Sequence, residues 1–181
     1  MSIQESYQAL ARLLDYPKGK QELTESYRLV ASFFSEYGMA PPAAPFGELL
    51  EEASLAELQE EYVAQFDFNP AQAPYLGHHL YGDNQKKGAY LIRVKQQYRS
   101  FDFAPPENEL PDHLRVLLAF LGHLAGLGED TLRRQFIAHE VQPGLDKLIE
   151  ATGARGLSPW LTLVEAAGLL VSHDCREVST C

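Results

Sequence analysis

The sequence predicts an all-α, single-domain helical bundle, and three observations carry that reading. Leu and Ala dominate while Val, Ile and Thr are sparse, a balance that favours helix over sheet. Apolar residues recur at three-and-four spacing in segment after segment, and no stretch alternates apolar and polar residues between turn signals. At 181 residues the chain is long enough to bury one core without disulfide or metal staples.

Taken in order, Ser2 and Glu5 form a capping-box start, and Tyr7, Leu10, Leu13 and Leu14 give the first helix its apolar face. Tyr16-Pro17 ends it, because the residue before proline avoids helical angles. A second helix covers about 20–37 and buries Leu23, Tyr27, Val30, Phe33 and Phe34. The segment 38–47 holds three prolines and two glycines and reads as a loop. A third helix is expected from about 47 to 66 through Leu50, Leu55, Leu58, Tyr62 and Phe66. The stretch 67–84 is rich in turn formers and aromatics. Helices follow over roughly 86–101, over 110–126 with Pro111 as first helical residue, and over 129–151. In the last of these, Phe136 and Val141 are buried and Pro143 kinks or breaks the helix. Ser158-Pro159 opens a final helix to about 172, an N-cap serine followed by proline at the first position. That makes six or seven helices in one domain, 1–172, with 173–181 as a flexible tail.

The formal charge of −10 repels nucleic-acid phosphates and anionic membranes and points instead to a basic partner. The two cysteines, Cys175 and Cys181, sit together at the C-terminus with no CxxC pair, which is cytosolic usage. The N-terminal stretch has no basic n-region, twin arginine or small-residue cleavage site, and the apolar run 166–171 is too short to span a bilayer. A cytoplasmic location follows from these features.

Motifs for chemistry are lacking. Six histidines occur without HExxH or a cysteine cluster, so no metal site is expected. There is no GxSxG elbow and no glycine-rich phosphate loop, so neither catalysis nor a bound cofactor is expected. Charge patterning says more. Six glutamates stand between Glu48 and Glu61 with no basic residue, a pattern that a solvated helix face explains equally well. Between Arg99 and Arg115 stand Asp102, Glu107, Glu109 and Asp112, again without a base. Asp112 suits a helix N-terminus through the backbone dipole. A protonated His113 there is disfavoured by the same dipole, so the imidazole reads as part of a small acidic pocket. In that pocket Glu109 and Asp112 would accept hydrogen bonds from an incoming Lys or Arg.

The stretches 61-EYVAQFD-67, 74-PYLGHHLYGDNQKKGAYL-91, Tyr98 and 109-ELPDHLRVLLAFL-121 resemble the TorD/DmsD/NarJ family of molybdoenzyme assembly chaperones, most closely its nitrate-reductase (NarJ) branch. The later stretches 139-HEVQPGLDKLIEATG-153 and 158-SPWLTLVEAAG-168 are similar to that branch too. The most specific piece is Glu-x-x-Asp-His at 109, 112 and 113. Two departures bear on the identity of the client: Ala119 stands where that branch suggests Glu, and Lys87-Gly88 where it suggests Arg-Gly. The resemblance implies a non-catalytic, cytoplasmic helical chaperone for the catalytic subunit of a molybdenum-containing oxidoreductase. It would bind that subunit's N-terminal leader and hold the subunit until the molybdenum cofactor is inserted, before membrane association or export.

A leader combines basic residues with an apolar helical stretch, so its receptor needs acid beside apolar surface. Glu109, Asp112 and His113 supply the polar part. Tyr62, Phe66, Pro74, Tyr75, Tyr81, Leu110 and Leu117 supply the apolar part, with core packing an equal explanation for Tyr62 and Phe66. The partners implied are that leader and subunit, without nucleic acid or membrane insertion, and the chain itself is a monomer or an element-exchanged dimer. A small enzyme or nucleotide- or cofactor-handling protein in molybdoenzyme maturation is the alternative reading.

Overall fold

The structure is a computed structural model that describes residues 1–153 and 158–176. Among these residues it holds helices and no strand, so the all-α architecture is as expected. The order is α1 (Ile3–Leu13), α2 (Lys20–Glu36), α3 (Ala44–Glu52), α4 (Leu55–Tyr62), α5 (Leu76–Tyr81), α6 (Gln85–Ser100), α7 (Leu114–Leu127), α8 (Asp130–Phe136), α9 (Gln142–Gly153) and α10 (Pro159–Arg176). Two π-helical turns, Val63–Asp67 and Ile137–Val141, follow α4 and α8.

The capping boxes decide where helices start. Glu5 N–H donates to Ser2 Oγ at 3.2 Å while Ser2 N–H donates to Glu5 Oε2 at 2.9 Å, as the sequence predicts. The same motif at Ser54 and Glu57 overturns the expected single helix over 47–66. Ala53 and Ser54 are extended, α3 ends, and α4 begins afresh. The S-x-x-E signal was present in the sequence; the leucine periodicity running through it masked the break. Similarly, α7 begins at Leu114 rather than Pro111. Pro111 instead turns its carbonyl to accept a 2.6 Å hydrogen bond from the Tyr98 hydroxyl. The bend expected at Pro143 is a π-helical turn just before it, one of the few ways a helix absorbs an interruption without ending.

The core closes around α1, α7 and α10. α1 and α7 approach closely at Gly122, where an added Cβ would stand 3.3 Å from the Gln4 carbonyl oxygen. Trp160 on α10 is fully buried, with its ring edge-on to Phe46 at 4.8 Å and to Tyr62 at 5.2 Å. Tyr62 and Phe66 are therefore core aromatics. α10 runs to Arg176, past the expected boundary at 172, and its last turn is not a tail. Asp174 is buried and receives Arg133 Nε and Nη2 at 2.7 Å each, with the Tyr7 hydroxyl donating at 2.8 Å. Residues 177–181, including Cys181, lie outside the described residues, and Cys175 is exposed as a free thiol.

The Arg133–Asp174 fork joins α8 to α10 out of solvent, and removing one partner strands the other charge. Asp174→Ala is expected to lower unfolding free energy by about 3–5 kcal/mol, read as a fall in the urea midpoint with helical content retained in the absence of denaturant.

Candidate functional site

The Glu109–Asp112–His113 motif lies where the loop before α5 meets the loop before α7. Leu114 N–H donates to the Pro74 carbonyl at 2.8 Å and Leu76 N–H to the Asp112 carbonyl at 3.1 Å, a short antiparallel clasp centred on Tyr75 and His113. Asp112 Oδ2 accepts from Gly77 N–H at 2.9 Å, in the first turn of α5. Only glycine fits at 77: a Cβ there would stand 2.8 Å from Asp112 Oδ2 and 2.9 Å from the Tyr90 ring. The Asp112 carboxylate is wholly buried, its Oδ1 without a hydrogen-bond partner, and burial pushes its pKa up.

His113 is the N-cap of α7. Its Nδ1 accepts from Arg115 N–H at 3.2 Å, so the ring hydrogen sits on Nε2. Burial is the main cause of its lowered pKa, about 4, and the imidazole is neutral near pH 7. This corrects the sequence argument. A protonated imidazole would be wrong at a helix N-terminus, but a neutral one offers a lone pair to an orphan N–H as a serine does. His113 is helix design after all.

Glu109 is the member of the motif that reaches the surface. Its Oε1 accepts from the Tyr75 hydroxyl at 2.9 Å and from Leu110 N–H at 3.0 Å, and its Oε2 lies 3.4 Å from Arg115 Nη2. Arg115 Nε in turn lies 3.4 Å from Asp15 Oδ1, which brings the end of α1 into the site. The Tyr75 ring stands edge-on to His113 at 5.0 Å.

The structure thus brings Tyr75, Glu109, Asp112 and His113 together, with Pro74 buried beneath them and Leu110 exposed beside them. It does not place Asp112 or His113 where a solvent-borne peptide meets them. Leu117, like Tyr62 and Phe66, is buried in the core. Tyr81 packs against Tyr90 of α6, 5.8 Å between ring centres.

Sequence reasoning missed three residues at the end of α1 and after α4. Asp15 and Tyr16 stand between two clefts. One, of about 250 Å³, is lined by Ala11, Asp15, Pro106, Arg115, Val116 and Ala119. The other, of about 380 Å³, is lined by Tyr16, Gln59, Glu60, Val63, Ala64 and Phe68. Phe68 is 81 % exposed, the most open of the large apolar side chains described. Tyr16 rests edge-on against Tyr62 at 5.7 Å, so buried Tyr62 supports the cleft without lining it. The only hint in the sequence was position: Phe68 follows Phe66 by two residues and falls off the buried helical face.

The model of the nitrate reductase delta subunit family matches residues 35–165, most of the chain. The chain belongs to that family. Its relatives include the probable nitrate reductase molybdenum cofactor assembly chaperone NarJ of Bacillus subtilis, 30% identical over 64% of this chain and 63% of that protein. The NarJ chaperone of Escherichia coli K12 is 27% identical over 64% of this chain and 50% of its own length. Nitrate reductase-like protein NarX of Mycobacterium tuberculosis is 32% identical over 63% of this chain but only 17% of its own length. The alignments therefore span less than two thirds of each of these relatives. A putative redox enzyme maturation protein from Archaeoglobus fulgidus has the same fold, with a TM-score of 0.65, 18% identity and 95% of each chain covered. The family resemblance and the fold read from the sequence agree with these findings. No helix among the described residues is long and apolar enough to cross a membrane.

Neutral His113 makes the junction sensitive to acid. Between about pH 6.5 and its folded value of about 4, the imidazole is protonated in the unfolded chain and not in the folded one. Its contribution to stability is therefore complete above pH 6.5 and is lost as pH falls towards 4. Asp112, with its pKa raised by burial, acts in the opposite sense and is common to parent and variant. His113→Asn keeps a capping oxygen and removes the titration. Urea unfolding from pH 7.5 down to 4.5 should show a smaller loss of stability in the variant than in the parent.

Proposed function

We propose that this chain is a cytoplasmic chaperone for the catalytic subunit of a nitrate reductase-like molybdenum enzyme. It binds the basic, amphipathic N-terminal leader of that subunit while the molybdenum cofactor is inserted, and before membrane targeting or export. Family membership supports the reading, as do relatives named as molybdenum cofactor assembly chaperones.

The observation that carries the leader-binding part is the meeting of acid and exposed apolar surface at the end of α1. Tyr16 and Phe68 line one cleft with Glu60, and Asp15 of the adjoining cleft shares Arg115 with Glu109. An amphipathic helix laid in the apolar cleft would direct its cationic end to these carboxylates, the helix-in-groove mode of peptide recognition. Asp112 and His113 act in this scheme by fixing the loop that presents Tyr75 and Glu109. The Ala119 departure leaves a methyl group rather than a carboxylate in the adjoining cleft.

Calorimetry with a synthetic basic amphipathic leader peptide tests the proposal. Phe68→Ser should weaken binding roughly tenfold, about 1.4 kcal/mol. Because Phe68 is 81 % exposed, thermal unfolding should be unchanged. Binding should also weaken from low to physiological salt, where charges are screened over about 8–10 Å, and Glu109→Gln should flatten that dependence. Wild-type affinity in both variants would remove the proposed surface.

A further inference from the structure

Helix α6 carries its charge against the rest of the chain. It holds Lys86, Lys87, Arg93, Lys95 and Arg99 and no acidic residue, in a protein whose formal charge is −10. Lys87 pairs with Asp83 at 3.2 Å and Arg93 with Glu140 at 3.2 Å. The side chains of Lys86, Lys95 and Arg99 are exposed and make no ion pair among the described residues. The helix buries only Tyr90, Val94 and Tyr98. On the side turned away from them, Gly88, Ile92, Lys95 and Arg99 follow at intervals of four, three and four, one exposed stripe. Ile92 is 58% exposed, and a Cβ at Gly88 would meet nothing within 4 Å. Glycine weakens a helix interior, and no neighbour within the chain uses the space it leaves. The stripe is basic and apolar at once, with room for another backbone to come close.

The cleft of about 380 Å³ lined by Tyr16 and Phe68 has the complementary character. Ala56, Glu60 and Val63 line it along α4 and the π-helical turn, Glu60 is exposed and in no ion pair among the described residues, and no base borders it. The stretch 48–61 that supplies it holds six glutamates and no base. We propose that the α6 stripe of a second copy of this chain occupies that cleft in the absence of a client, seating Ile92 against Tyr16 and Phe68 and bringing Lys95 and Arg99 to Glu60. The lengths match, since Ile92 to Arg99 and Ala56 to Val63 each rise about 10 Å along a helix. The net charge that opposes association of two copies is screened over about 8–10 Å, whereas the facing charges meet in contact. This rests on the leader-binding reading and adds regulation to it. α6 is a resident stand-in for the basic amphipathic leader, and self-association covers the cleft until a leader displaces it.

Sedimentation velocity of the full chain over a rising concentration series is the test. The parent should associate reversibly. Ile92→Ser and Phe68→Ser should each weaken the association roughly tenfold. Both positions are exposed, so thermal unfolding should be unchanged. An equimolar mixture of the two variants should regain association, because one keeps the cleft and the other the stripe. A synthetic basic amphipathic peptide should dissociate the parent. A parent that stays monomeric overturns the inference, whether or not an acidic peptide or anionic phospholipid vesicles bind α6 instead. Association that survives both substitutions, or an assembly that persists with peptide bound, overturns it as well. If the peptide fails to bind even Ile92→Ser, whose cleft is open, the leader-binding reading falls. Loss of association in both variants and its return on mixing would then uphold the contact between copies alone.

Discussion

The clasp between residues 74–77 and 112–114 is the constraint on which the site depends. Two backbone hydrogen bonds hold the segments together, one side chain adds a third bond across them, and another caps the helix that follows. Asp112 receives the Gly77 N–H, and His113 receives the Arg115 N–H. Each is a buried polar group satisfying a backbone donor at the start of a helix, where four N–H groups have no partner within the helix. An apolar side chain in either place would leave such a donor unpaired in a buried junction. The clasp therefore requires polar residues in positions that look from the sequence like a ligand site.

From that junction the surface chemistry follows. With Asp112 and His113 turned inward, Glu109 and Tyr75 are left at the rim, joined by a 2.9 Å hydrogen bond. Arg115, in the first turn of α7, then ties Glu109 to Asp15 and so couples the junction to the end of α1. Tyr16, the next residue, is held over Tyr62, whose hydroxyl donates to the Leu14 carbonyl at 3.2 Å. Acid and apolar surface become neighbours because α1 ends where the 107–113 loop begins its turn into α7. A partner with cationic and apolar faces fits this arrangement better than a small polar metabolite.

Two charge arrangements, one buried and one partly open to solvent, tie elements of the bundle together. Arg133, Asp174 and Tyr7 connect α8, α10 and α1 through fully formed, short hydrogen bonds. The Glu109–Arg115–Asp15 chain is longer in each contact and partly open to solvent. The first geometry suits a permanent fastening. The second contributes less to stability, since partly exposed ion pairs are worth little.

Sequence alone determined the helical class, most helix positions and most of the core. Tyr7, Leu10, Val30, Phe33, Leu118 and Leu121 are buried because helical periodicity is local and a face of leucines has to be covered. It also marked the Glu109–Asp112–His113 motif as exceptional. Only the tertiary structure decided what the motif does. Gly77 lies 35 residues from Asp112 in sequence, and no local pattern announces that its N–H will meet that carboxylate. Whether His113 is a cation at the surface or a neutral cap depends on the burial supplied by the packed chain around it, which also lowers its pKa. Phe68 and Asp15 matter for the same reason. Exposure and charge pairing belong to how elements pack, and packing joins residues whose side chains carry no record of one another in the linear chain.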